Sequence, residues 1–345
     1  MTTHTEESQL NLTSDRVQAE SSTQIWLRRL TALAPVWTLL ALGIFFGLAA
    51  PTFLRPNNLN NILSQVSTLA IFGTGMTFVL LTGEIDLSIA AIAGLAGMIA
   101  TQVFLSLEYP EPVPTLVALG VASLLGLISG IASTHFRIPT FMSTLAMWLI
   151  AGGLNTFVSK GRTLTNIPEI SVFLGSGRIG GQDGLRVIIV VAALTLIIGH
   201  IVLRYTRFGR YVYMTGANKS AARLVGVNTN RVIIMVLTIC GFTAGLAGLV
   251  STGRLGSAQP QEVPSYLIDT IGAVVLGGTA LTGGRGSIPQ TVIGLLLYGT
   301  LRNGLDNIPS IDVYLKEFIT GIVLITALVV NVFLSGKQRR DRTET

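Results

Sequence analysis

Long uncharged apolar runs alternate with short polar segments along most of the 345-residue chain. A helix needs about 20 mostly apolar residues to cross the hydrocarbon core of a bilayer, within a range of about 17–25. The pattern therefore predicts an all-α polytopic membrane protein with about ten transmembrane helices. The ten runs lie at residues 30–54, 56–83, 87–107, 112–134, 138–159, 187–203, 232–253, 270–284, 286–301 and 318–336.

The runs at 270–284 and 286–301 are short and rich in glycine and threonine. Short, glycine-interrupted segments line substrate paths in some transporters, so both runs fit half-spanning segments. They also fit two ordinary helices that borrow flanking residues and pack tightly. In the run at 232–253, Gly241 and Gly245 form a G-x-x-x-G pattern, which predicts close helix packing.

The positions of lysine and arginine predict the orientation. With ten spans and a cytoplasmic N-terminus, 15 of the 23 basic residues fall on the cytoplasmic side, as the positive-inside rule requires. Both termini are then cytoplasmic. The predicted organisation is a disordered tail at 1–24, a transmembrane domain at 25–336 that contains a cytoplasmic loop at 204–231, and a basic tail at 337–345.

Composition excludes several classes of protein. Only 12% of the residues are charged, against about 25% in soluble domains, and the mean hydropathy is +0.64, which excludes a large soluble enzyme. One cysteine, Cys240, cannot form an internal disulfide. The sequence lacks the phosphate-binding motif G-x-x-x-x-G-K-[ST], so transport energy must come from a partner or an ion gradient.

A basic loop carries the first informative stretch, RYTRFGRYVYMTGANKSAARLVGVNTNR at 204–231. Its residues 217–224 favour a helix, with Asn218 as the N-cap and Gly226 as the residue that ends it. A basic cytoplasmic loop is ordinary topology. A short capped helix between two spans also predicts a docking surface that a partner subunit could receive in a cleft.

Two carboxylates interrupt the second stretch, TGMTFVLLTGEIDLSIAAIAGL at 74–95. Because a carboxylate at mid-bilayer costs about 2.5–3.5 kcal/mol, Glu84 and Asp86 should lie at a turn, near an interface or around a wet cavity. One interpretation is a cytoplasmic hairpin in which Asp86 caps the next helix. The other places both carboxylates near a gate.

Glycines crowd the third stretch, YLIDTIGAVVLGGTALTGGRGSIPQTVIGLLLYGTLRNGL at 266–305. They fit close packing of helices or a broken helix that lines a cavity. In another run, Trp148 and Asn155 are seven residues apart and share a helix face. An aromatic ring beside an amide suits a sugar, and a packed or lipid-facing aromatic is the alternative.

These three stretches resemble the signatures of ABC importer permeases of the ribose/xylose/arabinose type, in the branched-chain amino acid/ribose permease superfamily. The family's Ala-Ala-x-x-x-Gly loop, which inserts into the ATPase subunit, matches Ala221, Ala222 and Gly226. Ser220 stands where family members usually carry an acidic residue, which removes a charge-assisted contact with the ATPase. The resemblance implies a type II-like permease fold and an ATPase-coupling segment that contains Asn218, Ser220, Ala221, Ala222, Arg223 and Gly226.

The resemblance also implies the function. The chain would be the translocation subunit, not the enzyme, of an ATP-driven importer that carries a monosaccharide across the bacterial inner membrane. ATP and Mg would bind in partner ATPase subunits, with no cofactor in this chain. Its other partners would be a periplasmic or extracellular sugar-binding protein, a second permease chain and membrane lipid, without nucleic acid. The candidate path or gate residues are Glu84, Asp86, Ser88, Asn155, Asp269 and Asn303.

Other functions stay open from the sequence. An ABC permease of this kind could carry a nucleoside, a branched-chain amino acid or a signalling furanone instead. An ion-coupled secondary transporter would need a titrating membrane carboxylate, for which Glu84, Asp86 and Asp269 are the candidates. An intramembrane enzyme would need a catalytic constellation, and the sequence contains none that we recognise.

Overall fold

The computed structural model describes residues 34–106, 109–181, 184–260, 265–312, 314–323 and 325–326. The predicted tails at 1–24 and 337–345 lie outside these residues. The described chain is almost entirely helical, with one small antiparallel hairpin of β1 (Arg178–Ile179) and β2 (Leu185–Arg186). The helices are α1 (Ala34–Ala49), α2 (Pro56–Leu81), α3 (Ile89–Ser106), α4 (Val113–His135), α5 (Thr140–Ser159), α6 (Glu169–Ser176), α7 (Val187–Tyr205), α8 (Arg207–Ala217), α9 (Lys219–Leu224), α10 (Thr229–Leu255), α11 (Ser265–Leu276), α12 (Ile288–Asp306) and a final helix, α13, over 314–323.

Six of the described helices, α2, α3, α4, α5, α7 and α10, are long and apolar enough to cross a membrane. This confirms a polytopic all-α membrane protein, and the predicted number of about ten goes beyond these six. The predicted run at 270–284 does not form one helix, because α11 ends at Leu276 and a glycine-rich loop follows. With 12 residues, α11 is about 18 Å long, well short of a hydrocarbon core of about 30 Å.

Helix α10 lies at the centre of the bundle and packs against α2, α3, α4 and α6. Glycines allow this because the backbones themselves touch. A Cβ atom on Gly241 would lie 2.5 Å from the carbonyl oxygen of Ala122, and one on Gly248 would overlap the carbonyl oxygen of Ala93. The close packing predicted from the G-x-x-x-G pattern is therefore confirmed, with α4 as the partner helix.

Helix α2 is enclosed by its neighbours along most of its length, although it contains several hydroxyl groups. These groups donate to carbonyl oxygens one turn back, as Thr74 does to Ala70 at 2.8 Å and Thr77 to Gly73 at 2.6 Å. The Thr77 hydroxyl also lies 2.7 Å from that of Thr291 on α12. Each hydroxyl is therefore satisfied without water, as a buried membrane helix requires.

Helices α4, α5 and α7 form the outer layer and expose large apolar side chains. On α7, Leu194, Ile197, Ile198 and Ile201 are between 47% and 60% exposed, while the opposite face packs against α2. Such a contiguous apolar surface suits lipid or another membrane subunit. The bundle therefore has a rigid centre made of α2 and α10 and an apolar outer surface.

The contact between α4 and α10 gives the first prediction. In the Gly126→Ala variant, the new Cβ would overlap the carbonyl oxygen of Leu237, so the two helices must separate. We expect a loss of about 1–3 kcal/mol, typical of overpacking, and a lower midpoint of thermal unfolding in detergent. Gly120→Ala, on the same helix but with nothing within 4 Å of the new Cβ, is the control. Equal midpoints for both variants would contradict the prediction.

Candidate coupling site

Three segments that are far apart in sequence meet at one end of the bundle. They are residues 81–86 after α2, residues 213–219 around the α8–α9 boundary, and residues 282–286 before α12; together we call them the three-segment junction. Each comes from one of the three stretches that carried the family resemblance. The backbone N–H of Gly284 donates to the carbonyl oxygen of Leu81 at 2.9 Å, which joins two of the segments directly.

Glycines allow the backbones of the three segments to touch. A Cβ atom on Gly216 would overlap the Leu81 carbonyl oxygen and would lie 2.6 Å from the backbone nitrogen of Gly284. Gly283 has a φ of 85°, which favours glycine, and a Cβ there would lie 2.7 Å from the backbone nitrogen of Gly83. The glycine density of the third stretch therefore serves backbone contact between loops, besides the helix packing foreseen from sequence.

Tyr213 of α8 adds a side-chain connection. Its hydroxyl donates to the carbonyl oxygen of Gly286 at 2.9 Å. Burial raises the pKa of Tyr213 above its ordinary value of 10, although the positive charge of Arg204 opposes the shift. The phenol therefore keeps its proton at neutral pH and stays a hydrogen-bond donor to the loop before α12.

An ion pair connects the junction to α9. Lys219, the first residue of α9, pairs through its Nζ atom with Oε1 of Glu84. The Glu84 side chain is only 12% exposed, whereas that of Lys219 is 42% exposed. The prediction that Glu84 lies at a turn is confirmed, because residues 82–88 are not helical, and its partner is a residue of the basic loop.

Helix α9 has the caps that the sequence predicts. The side chain of Asn218 accepts a hydrogen bond from the backbone N–H of Ala221 at 3.0 Å. Gly226 follows the helix with a φ of 86°. Arg223 turns back toward α10, where its Nε donates to Thr229 Oγ1 at 2.9 Å. The short helix is therefore held at both ends although it makes few packing contacts.

The tip of α9 is apolar and exposed. Leu224 is 89% exposed and Val225 is 67% exposed, while Ala222 beneath them is buried. Ser220, Ala221 and Arg223 complete the exposed surface. The six predicted coupling residues thus lie within one short segment, 218–226, whose large exposed apolar side chains are Leu224 and Val225, and their use in coupling stays a prediction.

Asp86 and Ser88 form a buried turn directly before α3. Oδ1 of Asp86 accepts hydrogen bonds from the backbone N–H of Ser88 at 2.8 Å and from its hydroxyl at 2.6 Å. Oδ2 has no hydrogen-bond partner among the described residues. Asp86 thus stabilises the turn that precedes α3 by accepting hydrogen bonds from Ser88, the residue before the first residue of the helix. Its use in a gate stays a prediction.

Asn155 lies away from the junction. The first turn of α5 touches the loop after α2, since Thr144 Oγ1 donates to the carbonyl oxygen of Ile85 at 3.3 Å. Asn155 is eleven residues further on, about 16 Å along the helix. Its Nδ2 donates to the carbonyl oxygen of Gln259 at 3.2 Å, which fixes the segment that follows α10.

Asp269 and Asn303 also lie in the other half of the bundle. Asp269 of α11 accepts hydrogen bonds from Tyr298 and from Arg302 of α12, each at 2.5 Å. Asn303 accepts from Asn58 at 2.8 Å, which connects α12 to the start of α2. These contacts give both residues a role in helix attachment, and their assignment to a translocation path stays a prediction.

A small cavity lies between α2, α3, α10 and α11, lined in part by Phe72, Gly94, Ser251, Gln259 and Tyr266. Its volume is about 40 Å³, room for a few water molecules.

Sequence reasoning missed the partners of several residues that it singled out. It did not foresee that Gly216 touches Leu81 and Gly284, that Lys219 pairs with Glu84, or that Tyr213 takes part. One signal was available: each of the three stretches carries a glycine beside polar residues at a break between apolar runs. That pattern marks loop contacts but does not say which loops touch.

Six long apolar helices with α10 at their centre, and a short exposed helix tied to the interhelical loops, define a multi-pass membrane protein of the permease class. The family model described as "Branched-chain amino acid transport system / permease component" matches residues 58–328, and the chain belongs to this family. The resemblance drawn from the three stretches is thereby confirmed.

Curated relatives match nearly the whole chain. The ribose import permease protein of Escherichia coli (strain K12) is 35% identical over 310 residues, 90% of this chain and 95% of the relative. That of Bacillus subtilis (strain 168) is 36% identical over 305 residues, 87% and 92% of the two chains. The fructose import permease protein of Rhizobium meliloti is 33% identical over 305 residues, 87% and 83%.

The backbone contact at Gly216 gives the second prediction. Gly216→Ala would push α8 away from the Leu81 carbonyl oxygen and loosen the three-segment junction. We expect faster trypsin cleavage after Lys219 and Arg223, because proteolysis follows local opening. Gly152→Ala on α5, where a new Cβ meets nothing within 4 Å, should be cleaved at the wild-type rate. Unchanged cleavage in the Gly216 variant would argue against a tight junction.

Proposed function

We propose that this chain is the transmembrane subunit of an ATP-driven ABC importer that moves a pentose or hexose across the bacterial inner membrane. The exposed apolar tip of α9, attached to the membrane helices through the three-segment junction, is the observation that carries this proposal. The cargo is inferred from relatives named as ribose, fructose and D-allose permeases. Nucleoside, branched-chain amino acid and furanone cargoes are the alternatives for the same architecture.

We further propose ten spans with both termini in the cytoplasm. The six long helices, α1, α12, the apolar run at 318–336, and one crossing made of the short α11 with the loop that follows it supply the ten. The excess of lysine and arginine supports this orientation, because it places the basic loop at 204–231 inside. The tip of α9 then faces the compartment that contains ATP.

The proposed mechanism begins at α9. Partner ATPase subunits, which bind the ATP and Mg, receive Leu224 and Val225 in a cleft and shift α9 as they close. Lys219 and Gly216 pass that shift to Glu84 and Leu81 at the end of α2, and to Gly284 before α12. A binding protein delivers the sugar on the opposite side, to a path that a second permease chain completes.

An ion-coupled mechanism has less support. Two of its three candidate carboxylates already have cationic partners, since Glu84 pairs with Lys219 and Asp269 with Arg302. Asp86, which has no cationic partner among the described residues, remains the one candidate for such a mechanism. Membership of the permease family also favours ATP-driven transport.

Purification of the tagged chain in mild detergent, followed by mass spectrometry of its companions, tests the proposed function. We expect an ATPase subunit in stoichiometric amount, and a binding protein whose sugar can then be found by screening. Purification of the chain without an ATPase subunit, together with solute uptake driven by an ion gradient in proteoliposomes, would overturn the proposal.

The same purification tests the tip of α9. Burial of a leucine side chain contributes about 1.5–3 kcal/mol, so Leu224→Ser should weaken ATPase binding roughly 10- to 100-fold. Leu185→Ser is the matched control, because Leu185 lies in β2, away from the junction, and is 52% exposed. Wild-type ATPase recovery with the Leu224 variant would exclude the tip as the contact.

The Glu84–Lys219 ion pair gives a separate prediction about coupling. Because Glu84 is mostly buried, Glu84→Lys and Lys219→Glu each bring like charges together there and should lower the unfolding midpoint. Each should lower the sugar imported per ATP hydrolysed in proteoliposomes, and the double charge reversal should restore part of it. Asp306→Lys, which breaks the pair with Lys316 elsewhere in the chain, should leave this ratio unchanged. A double variant no better than the singles would refute transmission through the pair.

A further inference from the structure

A basic cleft lies between the end of α7, α8 and the start of α12, beside the three-segment junction, with which it shares Tyr213 and Gly286. Its volume is about 410 Å³, and its lining includes His200, Arg204, Arg210, Tyr213 and Ser287. The lining contains no carboxylate. The cleft has room for a group much larger than a water molecule, and its charged lining residues are all basic.

The two arginines are not engaged elsewhere in the described part of the chain. Both are exposed, and neither side chain forms an ion pair or a hydrogen bond there. The guanidinium group is a planar fork of donors that matches the oxygens of a phosphate. Two such groups on neighbouring helices therefore favour a phosphate-containing anion.

The position of the cleft indicates where that anion comes from. His200 and Arg204 lie about 8 Å and 1.5 Å along α7 from its last residue, at the depth where a span reaches the headgroup region. On the same helix, Ile197 and Ile201 are 54% and 47% exposed and lie next to the basic face. Tyr205, 70% exposed, ends the helix as aromatic residues do at membrane interfaces.

The exposed apolar face of α7 ends beside two arginines whose side chains have no partner among the described residues. This arrangement suits a lipid, with its acyl chains along the apolar face and its headgroup at the arginines. We propose that this cleft binds the phosphodiester headgroup of an anionic phospholipid, held by Arg204 and Arg210. Basic pockets between transmembrane helices on the cytoplasmic side are suited to such headgroups. The exposed tip of α9 offers apolar side chains instead, so the two surfaces suit different partners.

The site has a consequence for the junction. Tyr213 lines the cleft and donates its hydroxyl proton to Gly286, and Ser287 and Ile288 at the start of α12 also line it. A bound headgroup would therefore bridge α7, α8 and α12 at the point where the junction meets the bilayer. Anionic lipid would stabilise the arrangement in which these three helices are joined.

Lipid binding is tested on the purified full chain without any ATPase, so the result does not depend on the proposed import function. Native mass spectrometry and thermal unfolding compare phosphatidylglycerol with phosphatidylcholine. We expect retained phosphatidylglycerol and a higher unfolding midpoint for the wild type. The double variant Arg204→Gln/Arg210→Gln should bind phosphatidylglycerol roughly 10- to 30-fold more weakly.

Arg207→Gln is the matched control, because Arg207 is an exposed arginine between the other two that does not line the cleft. It should retain phosphatidylglycerol like the wild type. The variant Arg204→Lys/Arg210→Lys keeps the charge and should recover part of the binding, which separates loss of the site from misfolding.

Three results would overturn the lipid assignment. Equal retention of the two lipids by the wild type would remove headgroup specificity. Equal retention of phosphatidylglycerol by the wild type and the double glutamine variant would remove the arginines from the site. Competition by millimolar inorganic phosphate, with the same rise in the unfolding midpoint, would assign the cleft to a soluble anion.

Discussion

Direct contact between helix backbones is the constraint on which this structure depends. Lipid tails are as apolar as the helices, so burial of apolar surface does not drive helices together within a bilayer and close packing must. Glycine permits that packing because it has no Cβ, and α10 uses it against α3 and α4 at Gly248 and Gly241. The centre of the bundle is held by contacts that a single methyl group would disrupt.

Backbone contact at glycine also occurs at the three-segment junction, but there it contributes less to stability. There the touching backbones belong to loops, at the end of the bundle that carries the basic segment, and the added contacts are one ion pair and single hydrogen bonds. In a partly buried ion pair, the cost of taking the charges out of water offsets much of their attraction. The junction therefore fixes which residues face one another without contributing much to folding, which suits a contact that must transmit displacement.

The sequence was sufficient where one local rule determines the structure. Apolar length predicted the six long apolar helices, and local capping chemistry predicted the ends of α9 at Asn218 and Gly226.

The sequence was insufficient where the outcome depends on distant partners. Nothing local indicates that Lys219 lies beside Glu84, because that contact follows from how α8 directs the chain. The end of α11 at Leu276 did have a local signal, the pair Gly277-Gly278, which the apolar run at 270–284 obscured. The candidate path residues Asn155, Asp269 and Asn303 lie away from the junction, and their role in a path stays a prediction, since a polar side chain in an apolar run fits helix attachment as well as it fits transport.

The short length of α11 and the small central cavity together constrain how a sugar could pass. The cavity beside α10 is small, about 40 Å³, and the α10 contacts around it hold backbone against backbone. Helix α11 is different, because it is too short to cross the hydrocarbon core by itself and is attached to α12 by Asp269, Tyr298 and Arg302. We therefore propose that α11 and α12 move as one unit, which requires the hydrogen bonds from α12 to α2 at Thr291 and Asn303 to break. The loop that joins the two helices is the part that touches α8. In the proposed mechanism, the displaced element is this unit, and the path opens along its outer side, where a second permease chain would supply the other wall.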